Sequence, residues 1–364
     1  MPVLGEVPVI DLEAVRSGDS AAVRAAAAAI HRAFSEVGLV YIKNHGVARS
    51  EVLDLYDQFR ALLDRSETEK ASWGGEGIWY QRGWTPPNTE QAVLAGGQPD
   101  FKECFFAAPH ELDARCARFW PQIYCPNVWP SDPGNFPEHY LTLGRQVHAV
   151  GLDLLKLCEE ALELPTRTLT QVTRGGAHVS RLLKYLALRS DQVGSGILWG
   201  EEHTDFNLLT LLPGGAFYSP DGQPEGRPDG AGGGLTLRTR PTEEHPQGIQ
   251  VSGKPPKGCM VAQVGQQLEV LTGGRFLATP HRISAPEEAG WTRCSFAHFV
   301  HVHGMTPIAP LAPFTSADEA YAPPVLAGTY AIKTLVDIGL APHSSLSDLG
   351  YRHYDRLATL RSSE

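Results

Sequence analysis

A mainly β fold with supporting helices is what this sequence predicts, and three observations predict it. After Thr173 short apolar segments alternate with Gly and Pro turns, before it lie Ala- and Leu-rich stretches of helical character, and no internal repeat or heptad interrupts either part. Short strands at regular spacing indicate a β-sandwich or jelly roll. The 364 residues, 42% hydrophobic and 20% charged, suffice for one large core or two modest ones.

Taken in order, Val7 to Leu12 reads as a strand and the Ala-rich run from Ala21 to Val37 as a helix by propensity. Gly38 to Ile42 reads as a second strand, closed by the turn residues Asn44-His45-Gly46, and Ser50 to Leu63 as a second helix. Residues 72–136, rich in Gly, Pro and Trp with neither period, are expected to wrap the mouth of a barrel. Leu141, Val147, Leu152, Leu155 and Leu162 predict a long buried helix from Pro137, stopped by Pro165. The strands expected beyond it are Val179 to Leu188, Asn207 to Leu212, Leu235 to Thr239, Cys259 to Val264 and Arg293 to Val302, with Tyr218 to Gly234 a surface loop. The chain thus divides into a helical N-terminal region (1–173), a β core (174–310) and a C-terminal extension completing the fold (311–364).

A formal charge of -10, with no concentration of Lys and Arg, argues against a nucleic-acid partner. The apolar run Ala25 to Ile30 is too short to span a bilayer and has no leader-like flanks, so no membrane partner is expected. Six scattered cysteines without a Cys-x-x-Cys pair read as free thiols, and a reducing, cytoplasmic location follows as the expectation. Oligomeric state is not legible.

The chemistry lies in three residues. A ferrous centre that activates dioxygen needs two imidazoles and one carboxylate on one face, leaving the opposite face open. Residues two apart on a strand point the same way, so His203 and Asp205 in Glu202-His203-Thr204-Asp205-Phe206 are expected to face a barrel interior together. Chance supplies about 0.65 His-x-Asp pairs in a chain of this composition, and His353-Tyr354-Asp355 is such a pair, read as a solvated helix face. What distinguishes His203 and Asp205 is the sequel: His281 in Ala278-Thr279-Pro280-His281-Arg282, then Arg293-Cys294-Ser295 starting 12 residues later. Arg293 and Ser295 would share a strand face, where a guanidinium and a hydroxyl can grip a carboxylate. His298, His301 and His303 are read as ordinary strand histidines, and Arg82 as a surface arginine, with an acidic substrate group as its alternative partner.

Together these motifs resemble the isopenicillin N synthase-like branch of the Fe(II)/2-oxoglutarate-dependent dioxygenases. Pro8-Val9-Ile10-Asp11-Leu12 and Gly38 to Val47 are similar to its N-terminal signature, Asp100-Phe101-Lys102-Glu103 and Asn127-Val128-Trp129-Pro130 to its middle region, and the His203, Asp205, His281 and Arg293-x-Ser295 series to its catalytic core. The resemblance implies a double-stranded β-helix, or jelly roll, with Fe(II) at its mouth on His203, Asp205 and His281, and Arg293, Ser295 and Tyr185 around 2-oxoglutarate. It also implies dioxygen as cosubstrate, succinate and carbon dioxide as products, and hydroxylation, desaturation or ring closure of a small molecule. Two departures are Lys184-Tyr185-Leu186 for the usual Tyr-Tyr-Pro and Gly265-Gln266 for the usual Gly-Asp. Two rival functions are an iron oxidase that uses no 2-oxoglutarate and a non-catalytic ligand-binding barrel.

Overall fold

The computed structural model describes residues 7–90, 101–225, 233–241, 243 and 245–347, with the backbone alone at 225, 316–319 and 347. His353-Tyr354-Asp355 and part of the expected loop, 226–232, lie outside the described residues. The N-terminal region supplies strands β1 (Val9–Asp11), β2 (Leu39–Lys43), β3 (Gly83–Thr85) and β4 (Lys102–Ala107). Next come β5 (Val179–Tyr185), β6 (Gly200–His203), β7 (Leu209–Leu212), β8 (Ala216–Tyr218) and β9 (Pro224–Glu225). Then follow β10 (Gly234–Arg238), β11 (Gln250–Ser252), β12 (Met260–Val264), β13 (His281–Ser284) and β14 (Thr292–Val300), and a separate short pair, Pro307–Ile308 with Val325–Leu326.

The major sheet runs β1-β2-β12-β7-β14-β5-β4-β3, with β8 on β14 and β9 on β8; the minor sheet runs β11-β10-β13-β6. Only β1 and β2 pair in parallel among these strands. Cys104, Phe106, Leu183, Tyr185 and Ala297 from the major sheet meet Ile283 from the minor one in a shared interior, so the two sheets close as a jelly roll. Strands from both sides of residue 173 share the major sheet. Residues 72–136 were expected to be irregular and instead contribute β3 and β4, because pairing of β4 to β5 and of β3 to β4 supplies the order their composition lacks. Likewise β8 and β9 form a short hairpin at the start of the expected loop.

Helices cover the outer face of the major sheet. The helix Ser20–Glu36 starts where the Asp19 carboxylate accepts the Ala21 N–H, and buries Ala26, Ile30, Ala33 and Phe34 along one side. The helix Phe136–Ala161 presents Gly144 and Gly151 to the sheet, where added Cβ atoms would lie 2.8 Å from Pro109 Cβ and 2.9 Å from Val300 Cγ2. Backbone thereby approaches backbone, and each fully buried neighbour such as Val147 or Leu154 contributes about 1.5–3 kcal/mol. No helix among the described residues is long and apolar enough to cross a membrane.

Beneath this helix lies a cluster of buried imidazoles. His148 Nδ1 and His298 Nε2 are 3.0 Å apart, His298 Nδ1 meets Ser180 Oγ at 2.9 Å, and His178 Nε2 donates to the Thr173 carbonyl at 2.9 Å. Burial pushes His148 down to about 3 and His178 and His298 well below the usual range, with neighbouring histidines adding to it. The folded protein therefore refuses protons that the unfolded chain accepts below about pH 6.5, so stability is full above that pH and falls as pH drops through it. We expect the unfolding free energy to decline from pH 6.5 to 4.5 by about 1.4 kcal/mol per pH unit for each proton taken up on unfolding, and the melting temperature to fall with it. A melting temperature constant across that interval would contradict the dry packing of the cluster.

Candidate metal centre

Register creates the centre. His203 closes β6 and His281 opens β13, and the two are direct antiparallel partners, so their rings lie with centroids 4.4 Å apart. Asp205 does not share the strand with His203 as the spacing suggested; it lies in the loop beyond, where its carbonyl accepts the Gln266 N–H at 2.8 Å. That loop is pressed against Gly265, whose added Cβ would lie 2.1 Å from the Asn207 carbonyl oxygen, which explains the glycine. Gln266 itself donates to Thr204 Oγ1 at 2.6 Å and accepts from Tyr330 Oη, tying the segment between the two residues to the C-terminal helix Ala327–Asp337. Asp205 Oδ1 ends 3.5 Å from His203 Nε2 and 3.8 Å from His281 Nε2.

The remaining polar atoms of all three residues are already committed elsewhere. His203 Nδ1 donates to the Glu201 carbonyl at 2.7 Å and His281 Nδ1 to the Thr279 carbonyl at 3.3 Å, so Nε2 of each ring carries the lone pair, and His281 Nε2 also lies 3.3 Å from Gln263 Nε2. Asp205 Oδ2 accepts from Thr210 Oγ1 at 2.6 Å and from Gln263 Nε2 at 2.8 Å, leaving Oδ1 for the centre. Burial pushes His281 down to about 4, so it is neutral; burial alone would raise Asp205, but His281, His203 and Thr210 outweigh it and keep the carboxylate ionised. For His203 burial alone would lower the value, but the Asp205 carboxylate outweighs it and raises it, a pull on positive charge that a cation between the two would answer. Two imidazoles and one carboxylate, each with its donor atom turned inward, fit a ferrous ion.

A second group, Asp113, Cys116 and His303, shows the contrast. His303 Nδ1 accepts the Met305 N–H at 3.3 Å, so the ring proton sits on Nε2, where it is donated to Asp113 Oδ2 at 3.1 Å. In that tautomer the nitrogen facing Asp113 is a donor, and a metal there would have to displace its proton. The three histidines after Phe296 also separate: β14 ends at Val300, His298 faces the helix, and His301 and His303 follow the strand rather than sharing it.

Thr210 and Gln263 escaped sequence reading, although each is a lone polar residue in an apolar strand, which was the available signal. Thr210→Val or Gln263→Leu is expected to weaken ferrous iron binding by about 10- to 100-fold, since such outer partners orient the ligand. Anaerobic iron titration of the variants measures it, and wild-type affinity in both would exclude the role.

Arg293, Ser295 and Tyr185 face the interior further along. Arg293 stands opposite Tyr185 on β5 and Phe217 on β8, its guanidinium carbon 5.3 Å and 5.8 Å from the two ring centroids. Gly215 makes room for it, because a Cβ there would lie 2.7 Å from Arg293 Nη2. Arg293 Nη1 is buried without a hydrogen-bond partner, Ser295 is buried beside it in the same strand, and Tyr185 stacks on Trp199 at 5.4 Å. An unpaired buried guanidinium next to a hydroxyl fits a carboxylate guest. The cavity that opens over His203 and Asp205 is walled instead by Phe106, Arg181, Phe206, Phe299, His301 and the helix Ala327–Asp337. Arg82, expected at the surface, also lines it and is 2% exposed.

A jelly roll with such a facial triad defines a non-haem metalloenzyme framework. Residues 7–132 match the family model for the N-terminal part of the non-haem dioxygenases of morphine synthesis, and residues 191–302 match that of the 2OG-Fe(II) oxygenase superfamily. The 2-oxoglutarate-dependent dioxygenase ecdK of Aspergillus rugulosus is 25% identical over 341 residues, covering 86% of this chain and 93% of that protein. Azadirone synthase LFS of Melia azedarach is 28% identical over 283 residues, covering 72% and 74%. Among solved structures, a full-length Neurospora crassa protein in complex with alpha-KG superposes with a TM-score of 0.73 at 20% identity, covering 92% of this chain and 98% of that one. The chain belongs to the Fe(II)/2-oxoglutarate oxygenase superfamily, and it is a 2-oxoglutarate-dependent dioxygenase that uses Fe(II), 2-oxoglutarate and dioxygen.

Proposed function

We propose that His203, Asp205 and His281 hold the ferrous iron, that Arg293 and Ser295 grip the far carboxylate of 2-oxoglutarate beside Tyr185, and that a small molecule is oxidised in the cavity above. The observation that carries this reading is the convergence of three donor atoms whose neighbouring polar atoms are all committed elsewhere. When bound, the iron with 2-oxoglutarate and dioxygen supplies the oxidising power, leaving succinate and carbon dioxide and a hydroxylated, desaturated or cyclised product. The chain's own contribution is placement. Phe206 and Phe299 exclude water from the cavity, and the helix Ala327–Asp337 closes its far side so that one C–H bond of the guest faces the metal. Six free, buried cysteines support a reducing, cytoplasmic location for a protein that must keep iron ferrous.

Anaerobic titration with ferrous iron and 2-oxoglutarate should produce the charge-transfer absorption of the chelate, and a succinate-coupled screen over small metabolites should find the substrate. Full turnover of a substrate with 2-oxoglutarate omitted would replace this reading with that of an oxidase.

A further inference from the structure

Arg181 on β5 reaches the same cavity as His203 and Asp205. Strand register puts it there: it stands opposite Phe106 on β4 and Ala297 on β14, both of which belong to the interior. Its guanidinium lies over the Phe106 ring at 4.7 Å, and all its hydrogen bonds run through Nη2, to Glu90 and to Cys104 Sγ at 3.2 Å. Its Nε is buried with no partner. Glu90 is shared, because its carboxylate also holds Lys102 Nζ at 3.2 Å. Burial opposes ionisation of Glu90, but Arg181 and Lys102 outweigh it and hold the group at about 2. Glu90 thus contacts both Arg181 and Lys102.

Arg82 adds a second unsatisfied guanidinium. It bonds only to the backbone carbonyls of Gln81 and Ile123, its Nε is buried and unpartnered, and no carboxylate among the described residues pairs with it. The other cavity carboxylates are engaged or distant: Asp205 belongs to the metal centre, Asp337 is paired with Lys333, and Glu201 lies on the opposite sheet in β6. The rest of the wall is apolar, with Phe106, Val179, Phe206, Phe299, Leu335 and Ile338. A buried N–H without a partner bears a desolvation cost that an acceptor on a ligand removes, and a guanidinium matches a carboxylate better than any neutral group.

We propose that the substrate is an apolar molecule bearing a carboxylate, which docks on Arg181 while its body lies along the aromatic wall toward His203 and Asp205. Glu90 is the internal stand-in that holds Nη2 when the cavity is empty. This inference rests on the metal and 2-oxoglutarate assignments above and adds the charge of the guest to them.

The test uses the protein loaded anaerobically with ferrous iron and 2-oxoglutarate, and two probes, 3-phenylpropionate and its neutral amide, 3-phenylpropionamide, compared by isothermal titration at millimolar concentration. The acid is expected to bind about 10- to 100-fold more tightly than the amide, the range of a charge-assisted hydrogen bond. Arg181→Gln should abolish that preference without weakening 2-oxoglutarate, and Glu90→Gln, which frees Nη2, should tighten the acid. Equal binding of the two probes, binding of neither, or a loss of 2-oxoglutarate affinity in Arg181→Gln overturns the proposal. The chelate absorption is read in the same samples. If it is missing in the wild type the metal assignment fails, whereas an intact band without preference for the acid defeats only this inference.

Discussion

Asp205→Ala is expected to eliminate the charge-transfer absorption of the iron and 2-oxoglutarate chelate and to take succinate formation below detection. Asp205 supplies the only anionic donor of the triad, and two neutral imidazoles alone give a weak and unselective site for a hard ferrous ion. The loss should exceed the roughly 10- to 100-fold cost of disturbing an outer partner such as Thr210. The same change removes the hydrogen bonds that the Thr210 hydroxyl and the Gln263 amide donate to Asp205 Oδ2, leaving Thr210 to Asn207 and Gln263 to His281, so it carries a folding cost of about 0.5–1.5 kcal/mol per bond lost. Melting temperature measured alongside separates the two effects: a folded variant without iron supports the assignment, and a folded variant with wild-type iron affinity ends it.

Arg293→Ala should leave iron binding intact and raise the concentration of 2-oxoglutarate needed to form the chelate. Truncating one partner of a buried charge pair costs about 2–5 kcal/mol, roughly 30-fold to several thousand-fold in Kd. Arg293 Nη1 has no hydrogen-bond partner, so the variant loses no hydrogen bond there and only the contacts with the Tyr185 and Phe217 rings, which melting temperature reads separately. Arg293→Lys keeps the charge but not the planar fork, and a partial recovery is expected. Unchanged 2-oxoglutarate affinity in Arg293→Ala would move the anchor to another cation of the interior, with Arg181 and Lys102 the candidates on the adjoining strands.

Much of the fold was legible because its signals are local. The short apolar segments Met260–Val264 and Thr292–Val300, set between turn residues, announce strands, and the alanines between Ser20 and Glu36 announce a helix by propensity. Strands β3 and β4 were not legible, since β4 takes its order from pairing with β5 across some 80 residues and β3 from pairing with β4, rather than from their own composition. Arg82 shows the same limit from the other side. An arginine reads as exposed by type, yet it is buried because the carbonyls of Gln81 and Ile123 accept its donors.

The sequence by itself nominated the chemical kinds at the proposed centre: two imidazoles, one carboxylate, and the guanidinium and hydroxyl that follow them. It nominated them through donor type and the succession of short motifs, which are properties of neighbouring residues, whereas the strand alternation offered for His203 and Asp205 did not hold. Only the tertiary structure decided that His203 faces His281, that Asp205 leaves the strand to be held by Gln266, and that Arg181 shares the cavity with them. Those relations depend on sheet register and loop closure between distant segments, and no local pattern encodes where one strand comes to rest against another.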